Sequence, residues 1–438
     1  MKKQAIICLV SFCLITTVLA ETIALKSGAE VEGKIIEKTD TYIKIDFQGV
    51  ILTYFTDEIE NIDAIFGTKT HQKITPEEPR TITQEKPMHV WQPTKTIALL
   101  IGVLQWQDQT LETYDPRNRQ DQKLFETLIE RGVPKENIIF LKDKEATLLK
   151  ILETFKSLAR QGDTDSTFFF YYAGHGKKSE DGRKAYFLNY DYNPIISPIL
   201  TAFMLDNIAK ILKENFKGRE AILTADCCYS GTLNQIADEL SEAGIETLVL
   251  SSASASNIST GAWTFTQSLV EILKGTPLMV LTQNDITVKN AAEYITYNMA
   301  YEENQYSNIY MTARLPQDFV LAKNEAKDFI DKNYIGQYKL AQYNGKDYKV
   351  RIIDQHDNSC RIHYLGWGSE WDEWRDYNEL KDIEFKTYNV NTKVLVKWNK
   401  TWYPAVVFKR EGIFHLIKYD DYDNSWNEWV TSERIKIN

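Results

Sequence analysis

The residues of this chain that could do covalent chemistry are the adjacent Cys227 and Cys228, in "ADCCYSG" (225–231), and His175, in "YYAGHG" (171–176). A cysteine attacks a carbonyl carbon as its thiolate, so it needs a neighbour that takes its proton and later returns one to the departing amine. An imidazole can do both near neutral pH. The tetrahedral oxyanion formed between those steps needs aimed N–H donors, which main-chain amides supply. Gly176 follows His175 and Gly231 closes the cysteine turn, so both loops let a substrate approach the backbone closely. Together the two stretches would furnish nucleophile, base and oxyanion donors for acyl transfer.

Both motifs stand where a strand should end. "STFFFYY" (166–172) and "REAILTA" (219–225) are continuous apolar runs of the kind covered on both faces of a sheet, and each leads directly into its motif. "TIALLIGV" (96–103) and "NIIFLK" (137–142) read as further strands. "RQDQKLFETLIERGV" (119–133) has helical spacing at Leu124, Leu128 and Ile129, and "EATLLKILETFKSLARQG" (145–162) has it at Leu148, Ile151, Leu152 and Phe155. Residues 95–323 therefore read as an α/β domain with a mostly parallel sheet and helices on both faces. Sites in such sheets lie beyond the carboxyl ends of the strands, where neighbouring loops would bring His175 and Cys228 together.

The chain as a whole reads as multidomain, this α/β domain being flanked by small all-β barrels. Lys2 and Lys3, an apolar run to Val18, and small residues closing at Ala20 have the form of a secretory signal peptide over 1–20. That implies an exported protein, periplasmic or secreted, with no membrane attachment after cleavage. Residues 21–66 alternate like short strands, with Ile35, Ile43, Ile45, Ile51 and Tyr54 at apolar positions and breaks at Gly28, Gly33 and Gly49. They resemble a small Sm-like β-barrel. Residues 67–94, with Pro76, Pro79, Pro87 and Pro93 among polar neighbours, read as a linker. The formal charge of −10 becomes −12 without Lys2 and Lys3, the wrong sign for a general nucleic-acid binder. Cys8 and Cys13 leave with the leader, so Cys227, Cys228 and Cys360 remain, too few and odd in number for a disulfide scaffold. A bridge between adjacent Cys227 and Cys228 would be strained, and any free cysteine can also serve as a small buried hydrophobe.

"YYAGHG" followed by "DCCYSG", 53 residues apart from His175 to Cys228, resembles the His and Cys boxes of caspase-like cysteine peptidases, which are about 50 residues apart in caspases. "TLVLSSASASN" (247–257) and "GAWTFTQSLVEILKG" (261–275) are similar to that family's small-subunit strand and helix. The resemblance implies a caspase-haemoglobinase-like fold, Cys228 as nucleophile, His175 as general base, and the N–H groups of Gly176 and Cys228 as the oxyanion hole. Cys227, sent to the opposite face by strand alternation, reads as packing. No residue orienting the imidazole is recognisable in the sequence.

Within that family the metacaspases, of which this is similar to a bacterial type, have two Asp residues that receive a substrate Arg or Lys. Asp226 and Asp121 fall at those positions, implying cleavage after basic residues. Arg117 and Arg119 lie near enough in sequence to leave an acidic-substrate pocket open. Tyr229 and Ala173 stand where metacaspases usually have His and Ser. The short stretch between Gly231 and Thr247 leaves no room for a long cleavable linker, so activity as one chain is expected. No cofactor or metal is expected to be required. Some metacaspases are activated by Ca²⁺, and Glu180 and Asp181 could belong to such a site.

The tail repeats itself. "YLGWGSEWDEWRDYNEL" (364–380) aligns with "YDDYDNSWNEWVTSERI" (419–435) at a constant offset of 55, matching Trp371 with Trp426 and Trp374 with Trp429. Residues 335–384 and 388–438 are thus expected to be tandem β-barrels. They resemble the chromo-barrel or Tudor-knot group, which implies aromatic-cage positions at Tyr364 and Trp367 in one copy and at Tyr419 and Tyr422 in the other. Trp371, Trp374, Trp426 and Trp429 read as core. A protein partner for these barrels, besides a protein or peptide substrate for the peptidase, is the expectation. The competing reading is a catalytically inactive caspase-like scaffold that binds proteins through its barrels.

Overall fold

A computed structural model of the chain describes residues 21–24, 30–38, 42–47, 50–55, 59, 61–62 and 65. It then describes 89–438 with breaks at 180–181, 183, 197, 256–258, 260, 280–282, 317, 326–333, 399–400, 423–425 and 438. The leader, most of the 67–94 stretch, Glu180 and Asp181 lie outside the described residues. The chain divides into two compact units at Glu85 and Lys86.

The first unit is an antiparallel sheet of β1 (Glu21–Ala24), β2 (Glu30–Lys38), β3 (Tyr42–Phe47) and β4 (Val50–Phe55), paired in that order. Ile43 and Ile59 are buried in it. The Asn61 amide accepts from the Ala24 N–H (2.9 Å) and donates to the Thr22 carbonyl (3.0 Å), fastening the end of β1.

The second unit begins with an α/β domain. In chain order its elements are β5 (Thr96–Gly102), α1 (Gln120–Glu130), β6 (Ile138–Lys142), α2 (Leu148–Ala159), β7 (Thr167–Ala173), β8 (Gly176–Lys178), β9 (Ala185–Phe187), α3 (Pro198–Thr201), β10 (Phe203–Met204) and α4 (Asp206–Asn215). They continue as β11 (Glu220–Asp226), α5 (Leu233–Glu242), β12 (Glu246–Ser251), α6 (Thr264–Lys274), β13 (Asp285–Thr287), α7 (Val288–Glu303), β14 (Asn308–Met311) and β15 (Val320–Lys323). The main sheet has the order β14-β12-β11-β7-β5-β6, parallel except for β14.

Strand alternation explains why these sequences are apolar throughout. Along β7, Phe168, Phe170 and Tyr172 pack into one core with Phe155 of α2 and Ile208 of α4. Phe169, Tyr171 and Ala173 pack into another with Leu124 of α1 and Phe265 and Leu269 of α6. Phe155 stacks on Phe168 and Phe170 at centroid distances of 5.0 and 5.7 Å. Truncating a ring so buried costs about 3–5 kcal/mol. The domain's packing begins upstream of residue 95, because Val90 bridges to Val320 and Trp91 is buried against Phe169, within the tail of the stretch read as linker.

The tail folds as two antiparallel sheets of the same order. β16 (Tyr338–Tyr343), β17 (Lys346–His356), β18 (Ser359–Tyr364), β19 (Glu373–Asp376) and β20 (Lys381–Asp382) pair as β19-β18-β17-β16-β20. β21 (Lys393–Trp398), β22 (Thr401–Glu411), β23 (Phe414–Tyr419), β24 (Glu428–Thr431) and β25 (Ile435–Ile437) pair as β24-β23-β22-β21-β25. The offset of 55 holds in space as well as in sequence: the register irregularity at Ile352/Asp354 recurs at Val407/Lys409. Val350, Ile352, Ile362 and Tyr364 of one core match Ala405, Val407, Ile417 and Tyr419 of the other. The tryptophans differ from the expectation. Trp371, Trp374 and Trp426 are exposed, and Trp429 stacks on Tyr306 of the α/β domain, because sheets this small fill their interiors with β-branched residues and Tyr.

Candidate active site

Register brings the two motifs together. β7 and β11 are parallel neighbours with Ala173 opposite Asp226, so His175 and Cys228 each lie two residues past a matched pair. Gly176 then packs directly on the cysteine turn: a Cβ there would stand 2.0 Å from the Cys228 carbonyl oxygen and 3.1 Å from Cys227 Sγ. Gly174 has φ +148°, with Val103 O and Tyr172 Oη close beside it, so the Gly-His-Gly loop tolerates no side chain on either flank of the histidine.

The Cys-Tyr-Ser-Gly turn is tied down on its other side. Tyr229 adopts a left-handed φ of +59° and reverses the chain into α5. Ser230 Oγ accepts from the Ala253 N–H (3.2 Å), and Gly231 lies against the backbone of Ser254 and Ala255. The Ser-Gly pair thereby joins the cysteine turn to the end of β12. Cys227 points into the core and is 2 % exposed, whereas Cys228 is partly exposed; both, with Cys360, are free thiols.

Cys228 lines a narrow recess with Leu104, Tyr114, Gly174, Asp226 and Trp263 among its walls, about 30 Å³ in open volume. Its Sγ accepts the Ser259 N–H at 3.1 Å. Burial pushes the thiol above its ordinary value, with that N–H acting in the opposite direction. His175 is also shifted by burial, downward, which favours its neutral form. Its ring stacks on Trp106 (4.4 Å) and packs against Tyr114 (5.0 Å). Nε2 donates to the Glu112 carbonyl at 2.7 Å, leaving Nδ1 to accept from the Tyr114 hydroxyl at 3.0 Å. These orienting groups, on the loop after β5, were not legible in the sequence. They act through a backbone carbonyl and an aromatic hydroxyl, which no spacing advertises.

The two aspartates differ in setting. Asp226 lies in the wall of the recess and is 8 % exposed, its Oδ2 accepting from Thr266 Oγ1 at 2.6 Å. Burial raises its pKa to about 6. Asp121 is wholly buried at the start of α1, and Arg119 holds it from Nη2 (2.7 Å) and Nε (3.0 Å). Arg119 also reaches Asp143 (2.6 Å) and the Gly102 carbonyl (2.8 Å). A Cβ on Gly102 would stand 2.0 Å from Asp121 Oδ2, so the bare glycine is what admits this ion pair beside β5. Asp121 is not among the residues lining the recess. Arg117 is engaged at the surface by Asp115. Among the described residues no group of His, Cys, Asp and Glu could hold a metal ion, and no helix is long and apolar enough to cross a membrane.

Residues 95–320, a little over half of the chain, match the sequence profile of the caspase domain of the C14 peptidases. The chain belongs to the caspase-domain family. Caspase-domain proteins are cysteine peptidases, and the two motifs above lie within the matched region. Solved structures similar to this chain include a protein of Geobacter sulfurreducens, with 16 % identity and a TM-score of 0.39, covering 53 % of this chain and 98 % of that one. Caspase-1 of Spodoptera frugiperda shows 12 % identity, a TM-score of 0.37, and coverage of 57 % and 99 %. The initiator caspase Dronc of Drosophila shows 11 %, 0.33, and coverage of 56 % and 91 %. A search of curated proteins finds no match.

Outside the caspase domain, the first tail sheet holds a recess of about 350 Å³ lined by Tyr343, Tyr348, Tyr364, Trp367 and Trp371 with Glu370, Asp372 and Glu373. Tyr364 forms part of the core and donates to Glu373 (2.7 Å), while Trp367 is exposed. In the second copy Tyr419 is likewise buried and donates to Glu428 (2.5 Å), and Tyr422 is exposed, packed against Trp426. Asp372 and Glu373 are engaged by His363 and Arg375, so the aromatic faces and the exposed Glu370 are what the recess of the first sheet offers a cation.

Proposed function

We propose that the chain is an exported cysteine endopeptidase that cleaves protein or peptide substrates after Arg or Lys, with Cys228 as nucleophile and His175 as general base. The observation that carries this reading is the packing of Gly176 on the Cys228 carbonyl at the register-matched ends of β7 and β11. In the proposed reaction His175 takes the Cys228 thiol proton and the sulfur attacks the scissile carbonyl carbon. The N–H groups of Gly176 and Cys228 stabilise the oxyanion. The imidazolium then protonates the departing amine, leaving a thioester on Cys228. Water, deprotonated by His175, hydrolyses the thioester and releases the acid.

Specificity in this reading rests on Asp226, the buried carboxylate in the wall of the recess, which favours a cationic side chain and disfavours an acidic one. Asp121, held by Arg119 away from the recess lining, is assigned no direct contact with the substrate. The tail sheets are assigned a protein-binding role in which the aromatic recess of the first sheet receives a cationic group. No cofactor is assigned, and Ca²⁺ enters as a variable of the assay.

The test uses residues 21–438 on fluorogenic peptides ending in Arg, Lys or Asp, with and without Ca²⁺, beside Cys228→Ala. Cleavage after Arg or Lys that is lost in the variant is the expected result. Cleavage after Asp would overturn the specificity, and absence of turnover under every condition would overturn the peptidase reading in favour of a binding scaffold.

A further inference from the structure

The first tail sheet packs directly on the α/β domain. Tyr338 and Arg351, neighbours across β16 and β17, are 3 % and 5 % exposed, and both reach α7. The Arg351 guanidinium lies over the rings of Tyr294 (5.5 Å) and Tyr338 (5.2 Å), donates to the Tyr294 hydroxyl (2.7 Å) and pairs with Glu302 (3.6 Å). Tyr338 donates to Glu302 and lies 2.9 Å from Asn298 Oδ1. Gly336 sits so close to Leu278 that a Cβ would stand 1.9 Å from its carbonyl oxygen. A charged guanidinium is buried in such a place only where it is paired and hydrogen-bonded on several sides, which makes this junction specific in its geometry.

Both lines of contact converge on Thr264, the first residue of α6. Glu302 Oε2 lies 3.3 Å from its hydroxyl and Glu303 Oε1 accepts from it at 2.5 Å. Asn298 donates to Ser268 Oγ (2.8 Å), which donates to the Thr264 carbonyl (2.7 Å). The same turn of helix faces the active site. Trp263 lines the recess beside Cys228, and Thr266 donates to Asp226 while taking the Tyr171 hydroxyl at 2.7 Å.

We infer that the first tail sheet positions the wall of the catalytic recess: Tyr338 and Arg351 hold Glu302, and the α7 carboxylates hold Thr264, fixing Trp263 and Thr266 against Asp226. Tyr338, Arg351, Glu302 and Thr264 are positioning residues that touch no reacting atom. The inference deepens the proposed peptidase reading and rests on it for the identity of the substrate.

The test compares the mature chain with Tyr338→Phe, Thr264→Val and the conservative Thr264→Ser. Two readouts are taken: the ratio of Cys228 modification rates by a cationic and a neutral methanethiosulfonate, and KM and kcat for a peptide ending in Lys. Tyr338→Phe and Thr264→Val should each lower the cationic preference and raise KM by about threefold or more, with kcat less affected and Thr264→Ser close to the parent. The double variant should show less than the product of the two single effects, as members of one chain of contacts do. Variants that lose thermal stability but keep the parent's labelling ratio and KM would reduce the junction to scaffolding and overturn the inference. If the parent cleaves no peptide, the peptidase reading fails by itself, and the labelling ratio still decides the positioning role.

Discussion

The Tyr114 hydroxyl stands 3.0 Å from Nδ1 of His175, and Tyr114 also lines the recess that holds Cys228. With Nε2 donating to the Glu112 carbonyl, the hydroxyl occupies the one ring nitrogen able to accept a proton from the thiol. Burial raises the thiol and lowers the imidazole at the same time. This arrangement differs from the paired thiolate and imidazolium of an activated cysteine.

Tyr114→Phe should therefore release Nδ1. Loss of one neutral hydrogen bond, about 1 kcal/mol, corresponds to a several-fold faster alkylation of Cys228 at neutral pH. Mass spectrometry of iodoacetamide-treated protein follows this directly, with Cys227 and Cys360 as buried internal references. A slower reaction in the variant would instead make the tyrosine a carrier of the proton between thiol and imidazole.

Asp226 gives the site a pH dependence of definite sign. Its pKa is raised to about 6 by burial, above the ordinary carboxylate value of 3.8. The folded state therefore binds this proton more tightly than the unfolded chain does. Its stabilising contribution is complete below the unfolded value and is lost as pH rises through about 6. The whole effect is on the order of 3 kcal/mol. Asp226→Asn should flatten the stability profile in that interval, as urea titrations at successive pH values would record. A cationic substrate needs the ionised form, so KM for Arg or Lys peptides should fall as pH rises through the same range, and this dependence should vanish in the variant.

What the sequence disclosed is what periodicity and motif can carry. The apolar runs at 96–103, 166–172 and 219–225 became adjacent strands because nothing but a doubly covered sheet accommodates such sequences, and the motifs at their ends were positioned by the same register. The tail repeat was legible through its constant offset. Asp121 was legible as an acid but not as a partner of Arg119, because two residues of separation on a loop and a helix start say nothing about a fork closing over Gly102. Trp371, Trp374 and Trp426 misled because large aromatic residues suggest a core, while a five-stranded sheet has no interior of that size. Glu112, through its carbonyl, and Tyr114, Thr266 and Glu302, through side chains from distant segments, leave no pattern to read.

The Arg119–Asp121 pair bears on stability more than on substrate. Asp121 is fully buried, and Arg119 supplies both of its short side-chain contacts. Arg119→Met would leave a buried carboxylate without its cation, at about 3–5 kcal/mol. Asp121→Asn with Arg119→Met should recover much of that loss, since removing both charges avoids the unpaired one. Thermal or urea denaturation measures this, and recovery in the double change separates the ion pair from mere packing.

Gly176 offers the sharpest test of the site's construction, because the only thing an alanine adds is one methyl group at a known place. Its Cβ would meet the Cys228 carbonyl oxygen at 2.0 Å, a distance that backbone must yield to. Moving the histidine loop away from the cysteine turn by even about 1 Å is expected to lower kcat/KM about a hundredfold. Gly345→Ala is the control, since that residue has a φ of +76° but nothing within 4 Å of its added Cβ. It should cost about 1 kcal/mol of stability through backbone strain alone and leave turnover unchanged. Similar kinetics for the two variants would mean that the contact between the loops does not hold the catalytic groups in place.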